Sequence, residues 1–288
     1  MKVLSCAQEH PEQNDTDMAR IGIVRYGIME KTERFTLPTE EDVTIGNSVV
    51  MRTRRGVEWG RLVAIEEDES AQPKVAGEVL RKATRKDAER QETISEVEEL
   101  EEAKACKKLI KKHELPMKLV RAENLFGGNK VIFYFLAEGR VDFRELVRDL
   151  AKDYRTRIEM RQIGVRDEAR IMGLVGPCGG QLCCRTFMDD LKPVPMRLAK
   201  DQKSTLDPAK ISGSCGRLKC CLKFEEQLYK DLKRELPRRG TKVGTPGGEG
   251  LVVDFEVIGQ TVTVELADGS RQKFPVAQIT RVAEEGGA

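Results

Sequence analysis

The sequence predicts an α+β protein with five parts. These are a β-rich N-terminal part, a long amphipathic helix, a ferredoxin-like α-β-β-α-β middle, a duplicated cysteine segment and a small SH3-like β-barrel at the C-terminus. Two observations lead to this prediction. Some stretches of the chain have the apolar spacing of a strand and others that of a helix, and six of the eight cysteines repeat in one pattern. With 39% hydrophobic residues over 288 positions, the chain can bury several modest cores.

The N-terminal part is predicted to be a flexible tail over 1–20 and a β-rich domain over 21–80. Residues 21–29 and 48–52 are rich in β-branched and apolar residues, and a third such run, 56–65, follows a turn at Arg54, Arg55 and Gly56. These runs predict three strands.

A long amphipathic helix is predicted from 81 to 114, at the start of an α+β domain over 81–175. This stretch has 19 charged residues in 34 and no Gly or Pro. Its apolar stripe repeats every three or four positions, at Ile94, Val97, Leu100, Ala103, Cys106 and Ile110. We expect Cys106 to be a small buried hydrophobe, whereas Cys6 lies in the polar tail.

The remainder of this domain alternates between strand and helix patterns. Strands are predicted at 117–120, 131–136 and 156–163, and a helix at 141–154, with a turn at 127–129. The resulting α-β-β-α-β order predicts a compact layer of ferredoxin-like type.

The C-terminal part, 237–288, is predicted to form a small SH3-like barrel. Short alternating strands at 241–243, 250–255, 261–266 and 271–274 are separated by turns at 246–248 and 268–269.

The segment 176–236 contains the most informative pattern. Cys178, Cys183 and Cys184 recur 37 residues later as Cys215, Cys220 and Cys221, and the flanking Gly176, Gly179 and Phe187 recur in the same register. Two matched triplets predict metal or cofactor ligands rather than isolated buried thiols.

Three chemistries could use six thiols. Zinc requires four tetrahedral ligands, usually from Cys-x2-4-Cys pairs, and the spacing here departs from that pattern. An iron-sulfur cluster accepts irregularly spaced cysteines, and Gly179, Gly180 and Gly216 would allow the backbone to approach it closely. Redox chemistry at the vicinal pairs is the least favoured because a vicinal disulfide strains the peptide between the two cysteines. The spacing favours an iron-sulfur cluster, with zinc as the alternative.

Charge is segregated along the chain even though its total is only +2. Residues 185–242 hold 15 Lys and Arg against 8 Asp and Glu. This segment could contact the phosphates of RNA or DNA or an acidic protein partner, or it could offset the charge of the thiolates and a cluster. No catalytic motif is present, which predicts a non-enzymatic protein. The absence of a long apolar run predicts no membrane insertion, and the polar N-terminus lacks a signal-peptide pattern, so we expect a cytoplasmic protein with reduced thiols.

Several stretches resemble the bacterial YaaT (RicT) family, also called the stage 0 sporulation protein family or the polymerase-suppressor C-terminal-domain family. The resemblance rests on 139–150, 155–170, 176–184, 199–202 and 210–224, and extends from about 21 to the C-terminus.

The resemblance implies a regulatory subunit that joins two small helical partners, YlbF and YmcA, and holds 4Fe-4S clusters. It also implies that this complex modulates RNase Y in mRNA processing and influences sporulation. The cluster ligands that it implies are the cysteines of both triplets. A zinc-stabilised nucleic-acid-binding regulator is the alternative function.

Overall fold

The computed structural model describes residues 19–38, 43–68, 74–188 and 191–281. The chain divides into two compact units, 1–171 and 172–288. The predicted tail, with Cys6, lies outside the described residues except for Ala19 and Arg20, which already belong to the first strand. None of the helices in the described ranges has the length and apolar character needed to cross a bilayer. The α+β class predicted from the sequence is confirmed.

Five strands form a closed barrel at the start of the first unit, in the order β1-β2-β5-β3-β4. The strands are β1 (Ala19–Tyr26), β2 (Lys31–Thr36), β3 (Ser48–Arg52), β4 (Val57–Asp68) and β5 (Gly77–Lys82). Closure comes from β1, which pairs antiparallel with both β2 and β4. The predicted strand 21–29 was too long, because Gly27 adopts φ +68° and the chain turns there. The chain returns as β2, a strand that the sequence pattern did not predict.

The barrel interior is filled by alternate strand residues, among them Val24, Phe35 and Met51, which are fully buried. Gly77 is needed where β5 meets β3, since a Cβ at this position would lie 2.0 Å from the Arg52 carbonyl oxygen. Closing the barrel buries both edges of the sheet, which protects it from pairing with other chains.

The predicted long helix begins at a capping box in which Thr84 and Asp87 exchange hydrogen bonds. It consists of α1 (Arg85–Thr93), a π-helical turn (Ile94–Glu98) and α2 (Glu99–Lys112). The predicted apolar stripe was only partly right. Ile94 and Cys106 are fully buried, whereas Val97 and Leu100 are 50% and 53% exposed. The wider π turn inserts an extra residue, so Glu99 and Glu102 face inward instead.

The α+β domain has the predicted α-β-β-α-β order, in the form of α2, β6 (Lys118–Asn124), β7 (Lys130–Leu136), α3 (Arg144–Tyr154) and β8 (Arg157–Gln162). Its sheet has the order β6-β7-β8, with β7 antiparallel to β6 and parallel to β8. In a ferredoxin-like fold another strand would separate the two parallel strands. Here β7 and β8 are direct neighbours, because the strand before the helix, β5, belongs to the barrel. A short helix, α4 (Val165–Ile171), ends this unit.

Helices dominate the first half of the second unit, in the form of α5 (Cys183–Thr186), α6 (Arg197–Asp201), α7 (Pro208–Ile211), α8 (Cys221–Phe224) and α9 (Glu226–Glu235). A small core joins α6, α7 and α8 through Leu198, Ala199, Ile211 and Leu222. The buried Gln202 amide donates to the Leu222 carbonyl oxygen at 2.6 Å, which fixes α8 against this core.

The C-terminal strands form one antiparallel sheet in the order β12-β11-β10-β9-β13. They are β9 (Lys242–Thr245), β10 (Gly248–Glu256), β11 (Thr261–Leu266), β12 (Arg271–Pro275) and β13 (Thr280–Arg281). The sequence predicted a small SH3-like barrel here, and the described strands form a five-stranded sheet with β12 and β13 outermost. A 3-10 turn (Val276–Gln278) connects these two strands, and β13 pairs with β9 through Thr280 and Arg281.

Candidate functional site

The first cysteine triplet begins in a tight hairpin turn. Val175 and Gln181 form a β-bridge, the Gly176 N–H donates to the Gly180 carbonyl oxygen at 2.9 Å, and the Gly179 N–H donates to the Gly176 oxygen at 2.9 Å. Gly179 has φ +84°, the left-handed conformation that closes this kind of turn. The Cys178 thiol folds back over the turn, since a Cβ on Gly176 would lie 3.4 Å from its Sγ.

The second triplet has the same backbone, displaced by 37 residues. Ser212 and Leu218 form the bridge, and the Gly213 N–H donates to the Arg217 carbonyl oxygen at 2.8 Å. Gly216, at φ +75°, donates to the Gly213 oxygen at 2.9 Å. The sequence repeat is therefore a structural repeat. Ser214 Oγ also donates to the Val175 carbonyl oxygen at 2.7 Å, so the two turns touch each other.

A one-turn helix follows each hairpin and places the vicinal cysteines. Cys183 and Cys184 open α5, while Cys220 precedes α8 and Cys221 opens it. Phe187 and Phe224, the last matched residues of the repeats, meet edge to face with ring centroids 5.0 Å apart. Both rings are more than half exposed, at 58% and 62%. The sequence comparison of the repeats aligned these phenylalanines but did not identify them as a contact.

Three of the six thiols interact across the repeat. Cys183 is hydrogen-bonded to Cys220, and burial, the charge of Cys220, this hydrogen bond and the charge of Cys221 together raise the pKa of Cys183 to about 11. Burial and the charges of Glu225 and Cys220 raise the pKa of Cys221. Thiolate formation in this cluster is costly without a cation nearby.

The other cysteines lie in different surroundings. Cys178 is exposed, Cys215 is partly exposed, and Cys184 is buried at 6% exposure. Cys106 is fully buried in the α2 core, and burial raises its pKa to about 12, so the prediction of a small buried hydrophobe is confirmed.

The glycines beside the triplets have local roles. Positive φ explains Gly179 and Gly216, where a Cβ would meet no atom within 4 Å, and a Cβ on Gly180 would meet only Cys178 Sγ at 3.8 Å. Turn geometry therefore accounts for two of these glycines, and the space beside them is open.

The donor set can be compared with what a metal or cluster needs. Accessible sulfur ligands on two matched turns suit zinc or an iron-sulfur group. However, within the described ranges no set of three or more His, Cys, Asp or Glu side chains is spaced to hold a metal ion. The ligand chemistry fits such a group, but a finished coordination shell is not assembled.

The basic residues of the predicted RNA-contact segment fall into two groups. Lys223 and Lys230 both pair with Glu226, and Lys203 and Arg239 both pair with Asp254. In contrast, Lys210, Arg217 and Lys219 at the second turn have no ion-pair partner in the described part of the chain. Part of the positive charge that lacks an ion-pair partner in the described residues is therefore adjacent to the cysteines.

Comparison with known proteins places the chain in a family. The model of the PSP1 C-terminal conserved region matches residues 77–163, and that of the PSP1-like protein, third domain, matches 193–236. The stage 0 sporulation protein YaaT of Bacillus subtilis (strain 168) is 46% identical over 245 residues, which cover 83% of this chain and 86% of that protein. This chain belongs to the YaaT (RicT) family.

About a third of this YaaT-family chain is also similar to a yeast protein. An uncharacterized protein of Schizosaccharomyces pombe is 37% identical over 99 residues, which cover 34% of this chain and 13% of the yeast protein. No solved structure matches the chain. The second cysteine turn lies within the third-domain match, whereas the first turn falls between the two matched regions.

Proposed function

We propose that this chain is a non-enzymatic regulatory adaptor whose two cysteine turns carry a 4Fe-4S cluster. The observation that carries the proposal is the structural repeat, in which two turns with the same hydrogen-bond pattern touch through Ser214 and bring Cys183 to Cys220. A structural role alone would not require two matched sets of three thiols, most of them accessible. The name of the related B. subtilis protein, a stage 0 sporulation protein, supports a regulatory role.

The ligands of the proposed cluster are drawn from Cys178, Cys183, Cys184, Cys215, Cys220 and Cys221. A bound cluster would supply one-electron redox chemistry and sensitivity to iron and oxidants. The residues of this chain hold the thiols at two hydrogen-bonded turns and leave all but Cys184 at least partly accessible. Because no finished ligand shell is present, the binding of a cluster would require the two turns to adjust or a second chain to contribute donors.

The adaptor role is proposed to operate in the cytoplasm through YlbF-like and YmcA-like small helical proteins and RNase Y. The exposed Phe187 and Phe224 pair, beside the thiols, supports a protein-binding surface at the cysteine turns. Purification of the tagged chain from its native organism, with identification of co-purifying proteins, tests this part. Recovery of the chain without helical partners or a ribonuclease would contradict it.

The cofactor is tested by anaerobic purification with analysis of iron, acid-labile sulfide and zinc. We expect iron and sulfide with visible absorption in the wild-type protein, and loss of both in the Cys183→Ser and Cys220→Ser variants. Cys6→Ser is the matched control, because it also removes a cysteine but lies outside the repeat, and it should keep its iron. Stoichiometric zinc without sulfide would contradict the iron-sulfur proposal.

A second candidate function is a zinc-stabilised nucleic-acid-binding regulator. It is favoured by Lys210, Arg217 and Lys219, which lie at the second turn without ion-pair partners among the described residues. Its distinguishing result is stoichiometric zinc together with RNA binding that Arg217→Ala and Lys219→Ala weaken and that falls steeply with salt.

A further inference from the structure

The first unit contains a cleft, far from the cysteines in sequence, that the proposed function does not use. It has a volume of about 890 Å³ and lies where the barrel meets the sheet of the α+β domain. The barrel contributes the β1–β2 hairpin, the β3–β4 turn and the chain before β5, and the sheet contributes Tyr134, Glu159 and Arg161. Both sides belong to the same compact unit.

The floor of the cleft is an internally satisfied polar network. Arg55 pairs with Glu58, and its Nη1 lies 2.8 Å from Glu123 Oε2. The Tyr134 hydroxyl donates to the same Glu123 oxygen at 2.6 Å. Since two buried carboxylates offset the charge of Arg55, the floor is fixed in place and needs no ligand to satisfy it.

The rim differs from the floor. Four exposed basic side chains line the cleft and have no ion-pair partner within the ranges that the structure describes. They are Lys31, Arg54, Lys74 and Arg161. Each comes from a different segment of the chain. They give this concave surface four positive charges without ion-pair partners in the described residues.

The acidic residues that line the cleft offset only part of this positive charge. Glu159 lies 3.3 Å from Lys130 Nζ, which compensates it, whereas Glu33 accepts a hydrogen bond from the neutral Tyr26 hydroxyl and can offset one of the four cations. The positive potential of the cleft is therefore available to an anion from outside.

We propose that this cleft binds the phosphodiester chain of single-stranded nucleic acid. A positively charged groove that follows a backbone is how such chains are held without sequence preference. A small phosphorylated ligand is less well matched, because its phosphates are usually held by a glycine-rich loop or a helix N-terminus, where N–H groups converge. Here separate long side chains surround an open cleft, and these suit phosphates spaced along a chain.

This inference is independent of the cysteine turns and of the predicted RNA contact through 185–242. The cleft consists only of residues from the first unit. Loss of iron would leave the cleft intact, so failure of the cofactor proposal and failure of this one give different results.

The test is fluorescence anisotropy with the full-length chain and labelled oligouridylate and oligothymidylate of about 15 nucleotides, a length within the usual site range. The double variant Arg54→Ala/Arg161→Ala should bind at least about tenfold more weakly at low salt. Its slope of log affinity against log salt should fall by about 1.4, for two single-strand phosphate contacts. The matched control Lys107→Ala/Lys108→Ala removes two exposed charges from α2 and should bind like wild type.

Three results would overturn the proposal. The first is no binding of either oligomer by the wild-type chain. The second is a loss of binding in Arg217→Ala/Lys219→Ala with none in the cleft variant, which would assign nucleic acid to the second turn. The third is displacement of the oligomer by free uridine nucleotides together with affinity that does not increase with oligomer length, which would assign the cleft to a small phosphate ligand.

Discussion

Gly179 and Gly216 show how single residues set the cysteine turns. Each adopts a left-handed φ directly after the first cysteine of its triplet, and each donates the hydrogen bond that closes its turn. Residues with a Cβ adopt this conformation at a cost, because the Cβ approaches a backbone oxygen. The position of the Cys178 and Cys215 thiols thus depends on the residue that follows each of them.

Replacement of Gly179 by Ala should lower the free energy of unfolding of the second unit by about 1 to 2 kcal/mol. Gly179→Asn should cost less, because Asn tolerates the left-handed region. Urea denaturation followed by circular dichroism measures both. Gly180→Ala is the control, since this position lacks positive φ and its Cβ would have room. An equal loss at Gly180 would show that crowding, and not φ, sets the cost.

Arg55 is a second residue whose contribution to stability depends on the groups around it. It faces Glu58 and Glu123, whose side chains are only 3% and 7% exposed. Its removal would leave both carboxylates buried without a cation. The cost of breaking such a pair exceeds the net gain from forming it.

We therefore expect Arg55→Met to lose about 3 kcal/mol of stability in thermal or urea unfolding. Arg54→Met, one residue earlier and exposed without an ion-pair partner in the described residues, should change stability by no more than about 0.5 kcal/mol. Similar losses for the two variants would mean that the network around Arg55 contributes little.

At the scale of elements, the helix from Arg85 to Lys112 illustrates how one irregular turn changes a face. The π turn at Ile94–Glu98 moves Val97 and Leu100 outward and Glu99 and Glu102 inward. Burial, followed by the charges of Glu98 and Glu99, raises the pKa of Glu102 to about 7. Glu102 Oε2 is buried without a hydrogen-bond partner in the described structure, which disfavours its charged form.

This raised pKa predicts how stability depends on pH. The folded state holds the Glu102 proton up to about pH 7, whereas the unfolded chain releases it near the ordinary 4.5. The contribution is therefore complete below pH 4.5 and is lost as pH rises to about 7. Glu102→Gln should remove this loss and be more stable than wild type at pH 8 by on the order of 2 kcal/mol.

Urea denaturation at pH 5 and pH 8 measures this difference, and Glu101→Gln, an exposed neighbour, is the control. A wild-type stability that is flat between these two pH values would contradict the assignment. Glu99, whose pKa burial also raises to about 7, should retain part of the slope in the Glu102→Gln protein.

Most elements could be predicted from periodicity, because strands such as Val131 to Leu136 and the apolar face of α3 depend on local pattern. Local pattern failed at β2, where Lys31, Glu33 and Arg34 are charged and only Phe35 is buried. It also failed at the π turn, because a helical wheel assumes constant pitch. Both errors occurred where tertiary packing overrides local preference.

At the scale of the whole molecule, the two units have separate cores. The clusters around Phe35, Phe133 and Tyr134 lie within the first unit, and those around Leu222 and Val264 lie within the second. A unit with its own core is expected to fold by itself.

A fragment of residues 19–171 should therefore unfold cooperatively with a urea midpoint close to that of this unit in the full chain. Trp59, the single tryptophan of the sequence, reports on the first unit in both proteins, so fluorescence compares them directly. An aggregated fragment, or a midpoint far below that of the full chain, would show that the second unit is needed for stability.

The sequence by itself determined the α+β class, the duplicated cysteine register and the burial of Cys106, because these depend on spacing and local period. The tertiary structure decided which strands close into a barrel, which thiols meet and where uncompensated charge gathers. Barrel closure, the contact of Cys183 with Cys220 and the cleft that Lys31 and Arg161 both line bring together residues that are distant in the chain. Such pairings depend on how elements pack, and local sequence does not encode them in any simple period.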